Sequence, residues 1–181
     1  MTTRSELLDR MHAASDLARI RLLHALILHG PQTGTDLGRR VVEARASIGY
    51  HLGMLHAVGH VAIEDGDGKS RNTVWRADMQ DMTIPEDLGQ DDDLVEAALR
   101  MERAFLRCRS EAQLDFAHER RSDPAWKNAA SRDSLLWLTP EQADDIEQGY
   151  ADMISEIRDT PRKPGAVPAL VTFAITPYQR T

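Results

Sequence analysis

Two motifs hold side chains of the types that bind phosphate or metal ions. Residues 64–70, EDGDGKS, end in the Gly-Lys-Ser of a phosphate-binding loop, but Ile63 occupies the position where that loop needs its first glycine. Asp65 and Asp67 begin as a calcium-binding loop does, yet Lys69 stands at the position of the third ligand. The spacing therefore predicts neither a phosphate-binding loop nor a calcium-binding loop.

Histidines are the other candidates for chemistry. His51 and His56 are five residues apart, so they do not share one face of a helix, and His60 follows Gly59, a helix-ending residue. The sequence shows no recognisable set of nucleophile, base and orienting acid. We therefore predict that the chain is not an enzyme, and that it has no cofactor and no metal site.

The stretch 45–58 is predicted to be a helix with one buried side. Its apolar residues recur at spacings of four, three and three, which is typical of a buried helical stripe. Gly49 and Gly53 lie on the opposite side, and each costs a helix about 1 kcal/mol. That cost indicates a use for a smooth outer side, although a surface helix rich in glycine and alanine is the alternative. The four apolar residues are Ile48, Leu52, Leu55 and Val58.

The outer side of this helix carries groups that could bind DNA. The major groove admits one helix, and Arg45, Ser47 and Tyr50 would present hydrogen-bonding groups to the edges of bases. Because base-edge contacts and DNA shape carry the sequence information, specificity is predicted to come from these three side chains. The full predicted contact set on the helix is Arg45, Ala46, Ser47, Gly49, Tyr50 and His51.

The neighbouring elements would position this helix. Thr33 is a predicted N-cap with Asp36 three residues later, which marks the start of a preceding short helix. After Gly59, the runs VAIE and NTVW flank the turn-forming DGDG and predict a β-hairpin. Lys69 and Arg71 lie on its return side and are predicted to contact phosphates or the minor groove. Together these elements predict a winged helix-turn-helix.

Residues 12–77 resemble the ArsR-type winged-helix transcriptional regulators. The resemblance lies in LILHGP, TDLGRRV, ARASIGYHLGMLHAVGHV and the closing VWR. It implies a homodimer that binds double-stranded operator DNA through the second helix and the wing, and more often a repressor than an activator. The family usually has Ser or Thr where Ala44 stands and often a polar residue in place of Gly49. The paired cysteines of its metal-sensing members are missing from residues 33–41.

The net charge of −7 is unevenly distributed. Residues 1–80 hold 10 Lys and Arg against 9 Asp and Glu, whereas residues 81–181 hold 12 against 20. The acidic charge therefore belongs to the second half, and DNA binding is expected to be modest, salt-sensitive and dependent on dimerisation. A winged-helix protein-interaction module that does not bind DNA is the alternative, and the acidic balance is consistent with it.

The remaining composition bears on location. A single cysteine, Cys108, excludes an intramolecular disulfide framework and suits a reducing compartment. The amino terminus has no apolar core typical of a signal peptide, and no run of about 18 apolar residues predicts a membrane span. A cytoplasmic protein without a membrane partner is the expectation.

After an acidic connector at 77–93, a long helix is predicted from Leu94 to about Arg121. A set of its residues recurs at alternating spacings of four and three, the heptad pattern of one helix lying along another. We predict that this seam pairs two subunits, since the resembled family dimerises there; packing within one subunit is the alternative. The seam consists of Leu94, Ala98, Met101, Phe105, Cys108 and Ala112.

The last third of the chain is predicted to be a small strand-helix-strand unit. Residues 135–138 and 169–175 are β-prone. Thr139 is a predicted N-cap, with Pro140 at the first helical position and Gln142 completing a capping box, for a helix reaching about residue 158. This unit would sense a small-molecule effector or extend the dimer.

The predicted protein is mainly α with a small β wing. It divides into a winged helix-turn-helix domain at 1–80, an acidic linker and long dimerisation helix at 81–121, and a C-terminal α/β appendage at 122–181. Its predicted function is sequence-specific DNA binding in transcription regulation.

Overall fold

The computed structural model describes residues 3–78, 88–119, 134–167 and 169–176. Residues 79–87, within the predicted acidic connector at 77–93, lie outside these residues, and so do residues 120–133. The chain divides into two units, Met1–Ala112 and Gln113–Thr181. The described part is mainly helical with one three-stranded antiparallel sheet, and none of its helices is long and apolar enough to cross a membrane.

The first unit holds the elements up to a long helix, which continues past Ala112 into the second unit. Two helices precede a short strand, two further helices with a 3₁₀ helix between them come next, and a hairpin and a long helix follow. In chain order they are α1 (Arg4–Ala13), α2 (Leu17–His29), β1 (Gln32–Thr33), α3 (Gly34–Arg40), the 3₁₀ helix (Val42–Ser47), α4 (Ile48–Ala57), β2 (Val61–Asp65), β3 (Val74–Ala77) and α5 (Asp92–Glu119).

The predicted start of α3 is confirmed. The hydroxyl of Thr33 accepts a hydrogen bond from the backbone N–H of Asp36 at 3.1 Å and donates one to its carboxylate at 2.7 Å. This cap satisfies one of the donors that a helix leaves free at its first turn. The same residue belongs to β1, so the cap also fixes where the sheet ends and α3 begins.

The main core lies between α2, α3, α4 and the sheet. Leu52 and Leu55 of α4 are 1% and 0% exposed, which confirms the predicted inward side of this helix. Ile48 and Val58 pack against the same core and are partly buried. A fully buried leucine contributes about 2 kcal/mol by removing its side chain from water, so this stripe fixes which side of α4 faces out. The other large members are Leu22, Leu23, Leu26, Leu37, Val41, Val61 and Trp75.

The sheet has the strand order β1-β3-β2, with both pairings antiparallel. Ile63 of β2 lies opposite Trp75 of β3, and the register shifts between Ile63 and Asp65. Such a bulge increases the local twist of a hairpin. The predicted hairpin is therefore present, and its loop spans residues 66–73.

His60 joins the start of β2 to α1. Its side chain is 3% exposed, and its Nε2–H donates a hydrogen bond to the carbonyl of Arg10 at 3.2 Å. Burial lowers the pKa of His60, since a charged imidazole would lose its hydration there. The ring is held neutral and serves the packing of the first unit.

The predicted dimer seam of α5 is instead packed within the chain. Ala98 and Met101 form one buried cluster with Met11 of α1 and Ala14 at its C-cap, and Phe105 packs against this cluster. Leu94, at the start of the seam, is also buried. The intramolecular alternative is therefore the one that the structure shows for these residues. The physical reason is that α1 has an apolar side of its own, which the heptad side of α5 covers.

The remaining two seam residues differ from each other. Cys108 is buried, with its Sγ 4.0 Å from Nδ1 of His24 on α2, whereas Ala112 is exposed. Burial raises the pKa of the Cys108 thiol, as expected for a small buried group rather than a reactive one.

In the second unit the predicted helix is confirmed and the predicted strands are wrong. Helix α6 spans Pro140–Asp159 and begins with the predicted capping box between Thr139 and Gln142. Residues 135–138 and 169–175 form no strand. A β-prone run becomes a strand only where another strand pairs with it, and here Phe173 stacks on Tyr150 of α6 instead, with ring centroids 4.6 Å apart.

Candidate nucleic-acid interface

The predicted contact helix begins later than its sequence suggests. Arg45, Ala46 and Ser47 belong to the 3₁₀ helix, and α4 starts at Ile48. The hydroxyl of Ser47 does not cap α4 but lies 2.9 Å from Nε2 of His51, one turn further on. The three residues therefore lie at the entrance to α4 rather than along it, and all three are exposed.

Arg45 is anchored at its inner end. Its Nε donates a hydrogen bond to the carbonyl of Gly38 in α3 at 3.2 Å. An added Cβ on Gly38 would lie 3.8 Å from the Cγ of Arg45, which is an ordinary van der Waals distance. The side chain of Arg45 therefore packs close to Gly38. This bond uses one of five guanidinium donors, and the others stay available at the protein surface.

The outer face of α4 is open and smooth, as predicted. A Cβ added at Gly49 or Gly53 would meet nothing within 4 Å. Tyr50 is 63% exposed and Met54 is 37% exposed, so they are the two large side chains on this face. We use the name smooth face for the exposed residues Ala46, Gly49, Tyr50, Gly53, Met54 and Ala57.

His51 does not lie on the smooth face, which corrects its predicted position. Its side chain is 12% exposed, and its Nδ1 lies 3.9 Å from a carboxylate oxygen of Asp16, the N-cap of α2. The ring stands edge-on to Tyr50, with centroids 5.6 Å apart. His51 therefore links α4 to α2 and packs against the ring of Tyr50. It lies toward the core because it is next to the inward-facing Leu52 on the helix.

Two further side chains, those of His56 and Asp67, organise the site through contacts that sequence reasoning missed. His56 donates its Nδ1–H to the carbonyl of Val61 at 3.0 Å and stands edge-on to Trp75. It connects the last turn of α4 to both strands of the hairpin. His56 is the residue before the last one of α4, and only the tertiary contact shows its use.

Asp67 shapes the hairpin loop. Its Oδ1 accepts hydrogen bonds from the backbone N–H groups of Lys69 and Ser70, both at 2.9 Å. These bonds favour the charged carboxylate and lower the pKa of Asp67. The loop also needs glycine at position 68, where φ is +76° and a Cβ would come within 2.9 Å of Ile63. Lys69 is thus presented on an ordered loop.

The hairpin loop rests against the start of α3. The hydroxyl of Thr35 donates to the carbonyl of Arg71 at 3.5 Å, and a Cβ on Gly34 would lie 3.6 Å from that same carbonyl oxygen. Gly34 also approaches Leu52 of α4. The first turn of α3 therefore holds the loop and α4 in one framework.

Sequence comparison found no match that would indicate the role of these residues. No family model matches this chain, and no curated protein is similar to it. The resemblance described above thus depends on the motifs themselves, and function must be inferred from the contacts and charges of the site.

The free positive charges lie beside α4 rather than on it. Lys69 and Arg71 are exposed, and neither forms an ion pair within the described residues. Arg76, in contrast, pairs with Glu64 at 3.1 Å and with Asp78. Between Ile48 and Ala57 the chain has no Lys, Arg, Asp or Glu. The site therefore combines an uncharged helix face with Arg45 at the entrance to the helix and with two exposed cations, Lys69 and Arg71, in the hairpin loop.

Metal binding has no support from the described ranges. Within them, no three His, Cys, Asp or Glu side chains converge as they do around a metal ion.

Proposed function

We propose that α2 to β3 form a winged helix-turn-helix and that the protein is a sequence-specific DNA-binding transcriptional regulator. In this assignment α3 and α4 are the two helices of the motif, and the β2–β3 hairpin is the wing. The observation that carries the proposal is the smooth face of α4, which a buried leucine stripe holds outward, together with Lys69 and Arg71 of the hairpin loop, which are unpaired among the described residues.

The size of the smooth face supports entry into a groove. The major groove is about 12 Å wide, close to the diameter of a helix with its side chains. Gly49 and Gly53 remove side chains from the leading face, so this helix would penetrate further than an ordinary one. Each glycine costs about 1 kcal/mol of helix stability, and close approach to DNA would offset that cost.

The proposed roles follow from position. Arg45, Ser47 and Tyr50 would contact base edges, and Lys69 and Arg71 would contact phosphates or the minor groove. His51 has the role of supporting Tyr50 rather than touching DNA. By the resemblance to ArsR-type proteins, we expect repression rather than activation. The second unit is the candidate site for a small-molecule effector.

The test is a gel-shift series with two probes, a duplex from upstream of the protein's own gene and a pool of random-sequence duplexes. Specific binding predicts enrichment of one sequence from the pool, with affinity that falls steeply with salt concentration. Failure to retain any duplex at low salt would reject the proposal.

A protein-interaction module is the second candidate function. It is favoured by the lack of charge on α4 and by the exposed side chains of Tyr50 and Met54. A partner helix with an apolar stripe would fit such a face. The gel-shift series separates the two candidates, because this module would retain no duplex at any salt concentration.

Tyr50→Ala is expected to weaken specific binding about tenfold and to change nonspecific binding less than twofold. The tyrosine is the largest exposed group on the smooth face, and only base contacts distinguish one sequence from another. The measurement is the ratio of affinities for the enriched duplex and a scrambled one. An equal loss on both duplexes would remove Tyr50 from base readout.

Lys69→Ala is expected to lower affinity for every duplex and to reduce the salt slope. Each phosphate contact contributes about 0.9 to the slope of log K against log salt concentration, so a dimer should lose close to two such contacts. Ser70→Ala is the matched control, as it changes the neighbouring loop residue without changing charge. An unchanged slope in the Lys69 variant would exclude wing contact at this residue.

A homodimer remains part of the proposal, but through a different side of α5. Val95, Leu99 and Leu106 are 38%, 44% and 47% exposed and recur at spacings of four and seven. They form a second apolar edge of α5, next to the side that packs on α1. We propose that this edge pairs two subunits and so doubles the phosphate contacts.

Leu99→Glu is expected to weaken dimerisation about 100-fold. Two leucines, one from each subunit, would each lose about 1.5 kcal/mol of burial. Arg100→Glu is the control, because it changes charge by more on the same helix but lies off the apolar edge. Sedimentation of both variants over a concentration series gives the measurement, and an unaltered dimer in the Leu99 variant would exclude this edge.

A further inference from the structure

The smooth face of α4 offers very few hydrogen bonds. Of its six exposed residues, two are glycine, two are alanine, and one is methionine, so only the hydroxyl of Tyr50 is polar. The usual side chains for reading guanine or adenine are Arg, Lys, Asn and Gln, which can make paired hydrogen bonds to one base. None of them occurs between Ile48 and Ala57.

The major groove has one apolar feature that such a face could recognise. Thymine carries a C5-methyl group there, and cytosine carries none unless it is methylated. Apolar side chains distinguish a thymine by contact with that methyl group. The exposed ring of Tyr50 and the thioether chain of Met54 are the groups on this face that are long enough to reach it.

Tyr50 and Met54 are suitably placed for a joint role. They are four residues apart on α4 and so project from the same side, one turn from each other. The ring of His51 stands edge-on to that of Tyr50, with centroids 5.6 Å apart. Gly49 and Gly53 precede each of them by one residue, and no neighbouring atom lies within 4 Å of either added Cβ. The backbone can therefore approach the base edges between the two long side chains.

We propose that this protein reads its operator mainly through thymine methyl groups, which contact Tyr50 and Met54. This inference rests on the proposed DNA-binding function and specifies the ligand of the same site. It predicts that each half-site contains thymines whose methyl groups are needed for affinity, while their hydrogen-bonding groups are not.

The experiment replaces thymine by uracil, one position at a time, in the duplex enriched from the random pool. Uracil keeps every hydrogen-bonding group of thymine and lacks only the methyl group. We expect about a fourfold loss of affinity at one or two positions in each half-site, since burying one carbon is worth about 0.8 kcal/mol. At the same positions, a G·C pair with 5-methylcytosine should bind better than an unmethylated G·C pair.

Protein variants assign the methyl groups to side chains. In Tyr50→Ala or Met54→Ala, the uracil penalty should vanish at the position which that side chain contacts. Arg45→Ala is the control, and it should weaken binding while keeping both penalties. Specific binding with no uracil penalty at any thymine would overturn this inference and leave the proposed function standing. Failure to enrich any duplex would overturn both.

Discussion

Gly53→Glu is expected to abolish DNA binding, with a loss of at least 100-fold on every duplex, while the protein stays folded. The added carboxylate would face the phosphates and base edges of the groove, where negative charge is repelled and must lose its hydration. The free protein has room for it, since a Cβ at this position meets nothing within 4 Å. Glutamate is also a better helix former than glycine, so the midpoint of thermal unfolding should not fall.

Two controls make this result specific. Gly149→Glu makes the same change inside α6, where an added Cβ likewise meets nothing within 4 Å, and it should leave binding unchanged. Gly53→Ala should stabilise the fold by about 1 kcal/mol. It should weaken specific binding only if the helix backbone lies directly against the bases at this position. The gel shift and thermal unfolding are measured on all three variants. Wild-type affinity in Gly53→Glu would show that α4 does not enter the groove.

Leu55→Ala is expected to lower the free energy of unfolding by about 2 to 5 kcal/mol. Leu55 is 0% exposed and belongs to the main core, so truncation loses burial and leaves a cavity that the surrounding helices fill only in part. For a unit of this size, that loss lowers the melting midpoint by roughly 10 °C or more. DNA binding should fail with the fold, since Leu55 holds the smooth face outward.

Met54→Ala is the matched control for this prediction. It truncates the neighbouring residue, which is 37% exposed on the opposite side of the same helix, and should cost less than about 1 kcal/mol. Urea unfolding of the two variants gives the comparison. Equal losses would mean that α4 is not oriented with its leucine stripe inward.

Local signals in the sequence were sufficient for several elements. Thr33 and Thr139 were identified as N-caps because a cap is a hydrogen bond within four residues of chain. The side of α4 that faces inward follows from the spacing of Leu52 and Leu55, since helical geometry alone puts them on one face. The hairpin was predicted from the glycines and aspartates of its loop, because these residue types favour turns locally.

Other features depended on which of several possible partners a side chain contacts. Helix α4 begins at Ile48, later than predicted, and the hydroxyl of Ser47 bonds to His51 instead of capping the helix. His51 lies inward, beside Asp16 of α2. The hairpin loop is ordered by Asp67, whose position predicted a turn and an incomplete calcium-binding spacing. Each outcome was decided by which of several available partners the folded chain brings near.

The sequence by itself determined the main helices and the hairpin, the N-caps at Thr33 and Thr139 and the inward side of α4, because these depend on bonds and spacings within a few residues. It could not determine what covers an apolar side. The heptad side of α5 packs on α1, and the run at 169–175 lies beside α6 without becoming a strand. Hydrophobic burial has no preferred direction or partner, so only the tertiary structure decides which of several apolar surfaces meet.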